Sequence, residues 1–296
     1  MRPLNSWIKE AKLLTLNDRR IAGWKTHTPD PTKPWLLLIH GFPTSSWDWT
    51  PVWAALEQHF NLAAIDMLGF GLSDKPENIN YQISAQADLQ EQFLNYHGIH
   101  EAHLLAHDYG DTVAQELLAR QNEDQSSFTI RSVCLLNGGL FPEQHRARLI
   151  QKLALTPIGP LLGMVMSRTT LRKNFDQIFG PNTKASDLEI DGHWQLLNHN
   201  GGRNIFHKLL QYIPERREHR ERWVSALQNT TVPLRLINGG ADPISGAHLY
   251  HYYKSMIESA DAVLFEDIGH YPQTEAPQRV VNAFFEFHRS IGTSTR

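Results

Sequence analysis

The sequence predicts an α/β protein: a mostly parallel, doubly wound sheet with helices on both faces and a helical segment inserted late in the chain. Three observations predict it. Continuous apolar runs, such as Trp35-Leu36-Leu37-Leu38-Ile39 and Leu104-Leu105-Ala106, have the character of parallel strands covered on both faces. These runs alternate with stretches of helical spacing, which implies right-handed crossovers in a single sheet. The alternation stops after Asn137-Gly138-Gly139 and resumes near residue 234.

In chain order, residues 8–16 and 21–26 read as two strands joined at Asn17-Asp18, a hairpin at the sheet's edge. A loop with Pro29, Pro31 and Pro34 separates them from the strand 35–40. Residues 53–59 are helix-like. Residues 61–66 form the next strand, followed by the glycine loop Leu68-Gly69-Phe70-Gly71-Leu72-Ser73. Residues 84–97 read as an amphipathic helix with Ser84 as its N-cap. A strand near 104–107 then turns directly into a helix, and the strand 130–137 follows. From 140 to 223 the pattern is helical and irregular, broken at Pro157, Pro160, Gly180-Pro181, Gly192 and Gly201-Gly202. Strands at 234–238 and 262–265 restore the sheet, and a helix over 277–291 closes it. The expected division is a core of residues 1–139 and 224–296 with a helical cap of 140–223. The mixed charged run 215–222 reads as a solvated helix face with intrahelical ion pairs.

Bulk properties narrow the function. With 41% hydrophobic and 20% charged residues, the 296-residue chain is an ordinary globular protein and not a disordered one. A net charge of -3 provides no footprint for a polyanion, so no nucleic-acid partner is expected. The single cysteine, Cys134, excludes an intramolecular disulfide and sits in an apolar strand, where it reads as core. No apolar run approaches the roughly 18 residues of a membrane span, and the first residues lack the apolar centre of a signal peptide. A soluble, cytoplasmic protein without metal or cofactor is expected, acting on a small apolar organic substrate with water, with homo-oligomers left open.

The chemistry converges on His107-Asp108-Tyr109-Gly110-Asp111. A strand that turns straight into a helix crowds its own backbone, so the small residues Ala106 and Gly110 flank the apex. The apex residue is then held exposed above the sheet. Here it is Asp108, where the G-x-S-x-G form has serine. Two later loops, each after a strand, supply partners: Asn238-Gly239-Gly240-Ala241-Asp242 presents Asp242, and Ile268-Gly269-His270 presents His270. Sites in open α/β sheets lie beyond the C-terminal strand ends, where all three residues fall. The turn His40-Gly41-Phe42-Pro43 adds a place for an oxyanion between the backbone N–H groups of Phe42 and Tyr109. Asp111 has three readings: a carboxylate that raises the pKa of Asp108, one that binds a polar substrate, or, favoured here, a first-turn residue paired with the helix dipole.

The turn His40 to Trp49, the loop Leu68-Gly69-Phe70-Gly71-Leu72-Ser73-Asp74-Lys75-Pro76, His107-Asp108-Tyr109-Gly110-Asp111, Asn137-Gly138-Gly139 and His270-Tyr271-Pro272 resemble the α/β-hydrolase superfamily, in its epoxide hydrolase and haloalkane dehalogenase branch. Within the branch they resemble the mesoderm-specific transcript group and its bacterial relatives. The resemblance implies an α/β-hydrolase fold with an inserted helical cap. It also implies an aspartate nucleophile that forms an alkyl ester, with His270 as base and Asp242 as the acid that orients it. The branch's dehalogenases hold the halide with Asn at the position of Phe42, or an equivalent second donor, and Trp at that of Tyr109, neither of which is present, although Thr44-Ser45-Ser46 looks dehalogenase-like. Its epoxide hydrolases use cap tyrosines as acids, and Tyr212 is the only tyrosine in this cap, with His145 as the other candidate donor. Epoxide hydrolysis is therefore expected. Dehalogenation, or a lipid acyltransferase or non-catalytic binding protein on the same fold, are the alternatives.

Overall fold

The computed structural model describes residues 1–293. Eight strands form one sheet: β1 (Lys12–Leu16), β2 (Arg19–Lys25), β3 (Trp35–Ile39), β4 (Asn61–Ile65), β5 (Glu101–His107), β6 (Thr129–Leu136), β7 (Leu234–Gly239) and β8 (Ala262–Phe265). Their spatial order is β1-β2-β4-β3-β5-β6-β7-β8. β2 runs antiparallel to both of its neighbours, and every pairing from β4 to β8 is parallel. Leu36, Leu37, Leu38 and Ile39 of β3 are all fully buried, as a strand covered on both faces requires.

Four helices precede the insertion: α1 (Leu4–Glu10), α2 (Thr50–Glu57), α3 (Ile83–Tyr96) and α4 (Tyr109–Asn122). Between β6 and β7 lie α5 (Leu149–Ala154), α6 (Gly159–Val165), α7 (Arg168–Ile178), α8 (Asp187–Asn198), α9 (Phe206–Leu209), α10 (Tyr212–Glu218) and α11 (Arg220–Gln228). The chain ends with α12 (Ala247–Met256), α13 (Pro272–Glu275) and α14 (Pro277–Thr293). Alternate strand residues divide the core in two. Leu37 and Ile39 pack with Phe93 of α3 and Val113 of α4, while Leu36 and Leu38 pack with Trp53 of α2 and Phe284 of α14. The sheet is thus covered on both faces, and the α/β-hydrolase architecture expected from the sequence is the one observed.

Local signals held where they were chemical and failed where a distant contact outweighed them. Asn17 and Asp18 both take positive φ, 47° and 57°, as a two-residue hairpin turn between β1 and β2 demands. The first strand, in contrast, starts at Lys12 and not at residue 8, because residues 4–10 are helical. The indole of Trp7 stacks on Trp24 at 4.8 Å and 6°, and Trp24 Nε1 donates to the Trp7 carbonyl. That contact across the edge of the core fixes the turn against local preference. α3 begins at Ile83, not after Ser84. Its first N–H donates to the carboxylate of Glu215 at 3.0 Å, so the cap comes from 132 residues away. α11 runs through the expected boundary at 223/224 and packs against α4.

The run 215–222 is a solvated face only in part: Arg217, Glu218, His219 and Glu221 are exposed, and Arg220 pairs with Glu221, but the other side of the run is tied to the core. Arg216 is 2% exposed, Glu215 caps α3, and Arg222 and the Trp223 indole bond to Glu116 of α4. Each of these polar groups satisfies a partner on the core, which a helical-wheel reading of charge cannot reveal.

Candidate active site

The sharp turn between β5 and α4 puts Asp108 at φ 49° and ψ -105°, a strained conformation for a residue with a Cβ. The crowding behind it is severe. A Cβ on Gly110 would stand 2.3 Å from the carbonyl oxygen of Ile39 in β3. Asp108 is 4% exposed, and one of its carboxylate oxygens, Oδ2, accepts the backbone N–H of Phe42 at 3.1 Å. Phe42 follows β3, so the strand order delivers that donor. Tyr109 opens α4, which starts at the elbow itself.

His270 and Asp242 arrive from the loops after β8 and β7. His270 Nδ1 lies 2.7 Å from Asp242 Oδ2, and Nε2 lies 3.9 Å from Asp108 Oδ1. Asp242 is heavily supported: it accepts the N–H groups of Ile244 and Ser245, the Ser245 hydroxyl at 2.8 Å and the Asn137 amide at 3.1 Å. Asn137, at the end of β6, also bonds both backbone groups of Gly239 and so ties two strand ends together. The backbone carbonyl of His270 pairs with the ring of His107 at 2.8 Å. Burial and the charge of His270 push His107 down to about 3, so it stays neutral.

The two ends of this chain of charges shift in opposite directions. Burial alone would lower His270, but the carboxylates of Asp242 and Asp108 overcome it and raise His270 from 6.5 to about 10. Burial alone would raise Asp108, but the imidazolium of His270 and the guanidinium of Arg216 hold it well below its ordinary 3.8. The stability share of His270 is complete below about pH 6.5 and is lost as pH rises through about 10. The share of Asp108 is present above 3.8 and is lost as pH falls below it. His270→Gln is therefore expected to flatten the alkaline loss of Tm, measured from neutral pH to about pH 11. An alkaline limb identical to that of the wild type would contradict the pairing.

Asp111 departs from the favoured reading. It is fully buried beneath the elbow, accepts the Leu136 N–H at 3.4 Å, and lies where a Cβ on Gly138 would be 2.1 Å from its Oδ2. Burial first, then the charge of Asp108, raise its pKa well above the usual range. Its desolvation outweighs any gain from the helix dipole there.

Sequence reasoning missed Arg216. From α10, its Nε donates to the Thr112 hydroxyl at 2.6 Å and Nη2 to the Asp108 carbonyl at 3.2 Å. Its guanidinium covers the ring of Tyr212 at 4.4 Å. The available signal was the pair Tyr212 and Arg216, one helical turn apart; in the fold the guanidinium of Arg216 fills the space that a Cβ on Gly139 would need. Tyr212 is 1% exposed, with its ring 4.9 Å from that of Tyr109 and 6.1 Å from that of Phe42. It stands behind the elbow's neighbours and does not line the cavity in front of Asp108. His145 has no hydrogen-bond partner on either ring nitrogen among the described residues, and burial first lowers it to about 4. Thr44, Ser45 and Ser46 turn inward to Asp48, the Trp47 N–H and Asp66.

In front of Asp108 and His270 lies a cavity of about 70 Å³. Its apolar wall includes Phe42, Leu171, Phe175, Phe206 and Ile244, so the insertion supplies much of it. No group of three or more metal-ligating side chains is found among the described residues, and none of the described helices is long and apolar enough to cross a membrane.

Comparison with known proteins agrees with this architecture. The family model for the alpha/beta hydrolase fold matches residues 34–277. The chain is 39% identical to the human mesoderm-specific transcript homolog protein, over 97% of this chain and 88% of that one. It is 36% identical to the putative hydrolase LipZ of Mycobacterium tuberculosis, over 84% and 86%. Among solved structures, a loop variant of haloalkane dehalogenase DbeA from Bradyrhizobium elkanii superimposes with a TM-score of 0.80 at 19% identity, covering 96% of this chain and 97% of that one. A putative lipase from Acinetobacter baumannii gives 0.80 at 20% identity, covering 98% and 95%; at such identities these two speak for the fold alone. With its elbow, its strand-end loops and these relatives, the chain belongs to the alpha/beta hydrolase family, alongside the mesoderm-specific transcript proteins.

Proposed function

We propose that this hydrolase works through a covalent alkyl ester on Asp108 and that its substrate is an epoxide, with the inserted helices 140–223 acting as a cap. The observation that carries the reading is an ionised carboxylate facing an apolar cavity, with a carboxylate-paired imidazole 3.9 Å away. An aspartate at this turn bonds to saturated carbon, where a serine would attack an acyl group.

The steps balance as follows. An oxygen of Asp108 bonds to an epoxide carbon and the ring C–O bond breaks. The departing oxygen takes the phenolic proton of Tyr212, whose side chain has to turn from its place beside Tyr109 into the cavity to deliver it, and whose burial keeps the phenol protonated until then. The imidazolium of His270 re-protonates Tyr212 and becomes a neutral base. Loss of the Asp108 charge on esterification favours that release, since that charge helped to raise His270. His270 then takes a proton from water, and the hydroxide adds to the Asp108 carboxyl carbon. The N–H groups of Phe42 and Tyr109 hold the oxyanion, a contribution of about 3 kcal/mol per donor in comparable sites. Collapse expels the diol oxygen, which takes the proton of His270, and the new carboxylic acid returns a proton to His270.

Turnover in heavy-oxygen water tests the ester. Label is expected in the peptide carrying Asp108, and turnover without label there overturns the covalent route. Tyr212→Phe is expected to slow ester formation about a hundredfold, read in single turnover. An unchanged rate removes Tyr212 and leaves the donor role to His145. Dehalogenation keeps one supporting observation, the amide of Asn174 on the cavity wall. Bromide release from short bromoalkanes separates it from epoxide opening. Binding or acyl transfer without an Asp108 ester is separated by Asp108→Ala: an activity that survives this change belongs to that class.

A further inference from the structure

We propose that the cavity takes an amphiphilic ligand whose anionic head, a carboxylate or a phosphate, is held by Arg148 while its apolar body lies on Leu171, Phe175 and Phe206. This deepens the reading above and relies on it only for which end reacts.

The cavity wall is apolar except at two places. One is the pair Asp108 and His270. The other is a group from the insertion, Arg148, Gln151 and Asn174. Arg148 donates through Nη2 to the side-chain carbonyl of Gln177, a neutral partner. No carboxylate lies within ion-pair distance of it among the described residues, in contrast to Arg168 and Arg172 of the neighbouring helix α7. Gln151 is 7% exposed, and its carbonyl oxygen accepts the Arg148 backbone N–H at 2.8 Å, which leaves the amide N–H groups to donate elsewhere. Asn174 is half-buried on α7 and has no side-chain hydrogen bond among the described residues.

A cation on an apolar wall is unfavourable unless something compensates it. A neutral substrate has no use for that charge. The planar guanidinium fork matches the terminal oxygens of a carboxylate or phosphate, and two amides beside it supply further N–H donors. A head bound there also keeps its negative charge apart from that of Asp108, and so leaves the neutral end of the ligand to meet the nucleophile.

Calorimetric binding of decanoate, decyl phosphate and decanol to the intact protein tests the assignment without any chemistry. At least one anion is expected to bind tenfold or more tightly than decanol, a difference typical of charge-assisted hydrogen bonds. Preference for decanoate marks a fatty-acid-like ligand, and preference for decyl phosphate marks a phosphomonoester. Arg148→Met is expected to abolish the preference and Arg148→Lys to retain part of it. Leu171→Trp, which fills the cavity, is expected to remove binding of all three; Ile244→Trp serves if that variant fails to fold. Equal binding of decanol and both anions, a preference that survives Arg148→Met, or binding that survives a folded cavity-filling variant overturns the proposal. Loss of the preference with heavy-oxygen label intact rejects the anion site alone, and the converse rejects the ester alone.

Discussion

His270→Gln is expected to fold, to react once with an epoxide and then to stop. The two halves of the proposed reaction make different demands on this side chain. Ester formation needs an ionised Asp108, and Arg216 and the Phe42 N–H still favour that state when the imidazole is gone. Hydrolysis needs a base at Nε2, and glutamine offers none. General-base catalysis contributes about a hundredfold to ten-thousandfold, so steady turnover is expected to fall by about a thousandfold. Intact-mass measurement then shows a stoichiometric adduct one substrate heavier than the protein. Asp108→Ala, tested beside it, shows neither adduct nor turnover. An adduct that persists in Asp108→Ala, or none in His270→Gln despite unimpaired folding, contradicts the assigned roles.

Gly110→Ala is expected to damage the fold itself. Its new methyl group would meet the backbone carbonyls of Ile39 and His40 at 2.3 Å and 2.7 Å. Neither side can yield, because residues 36–39 of β3 are fully buried in the sheet and α4 is packed between the sheet and α11. Overpacking against backbone at this depth costs about 3 kcal/mol or more, a large part of a typical domain's stability. The denaturation midpoint reads the loss. Gly292→Ala is the control: nothing lies within 4 Å of its added carbon, and alanine favours the helix by up to about 1 kcal/mol. If Gly110→Ala unfolds at the wild-type midpoint, the elbow is not the crowded turn described.

Why was so much of this visible in the residues alone? The elbow, the two strand-end loops and the parallel runs each impose a local requirement: a small residue beside a tight turn, a continuous apolar strand, a polar residue at a strand's end. Such requirements leave marks a few residues wide. Asn137-Gly138-Gly139 was legible as a break in the alternation but not as the support of Asp242, since that role depends on a bond across 105 positions. Arg216 was hidden for a related reason. Within Glu215-Arg216-Arg217-Glu218 it has the composition of a wet surface, and only its placement over the Asp108 carbonyl shows otherwise. The N-terminal turn containing Trp7 and the cap on α3 belong to the same class, where a partner supplied by the tertiary fold overrode the local signal.

Arg216 reaches the elbow from α10, so the cation beneath the nucleophile hangs from the roof of the site and not from its floor. Hoisting that roof as one piece would strip two bonds from the elbow and leave the Asp108 charge without its counterweight. A motion that opens the cavity beside Arg148 and Gln151 leaves those two bonds intact, whereas one that lifts α10 breaks both.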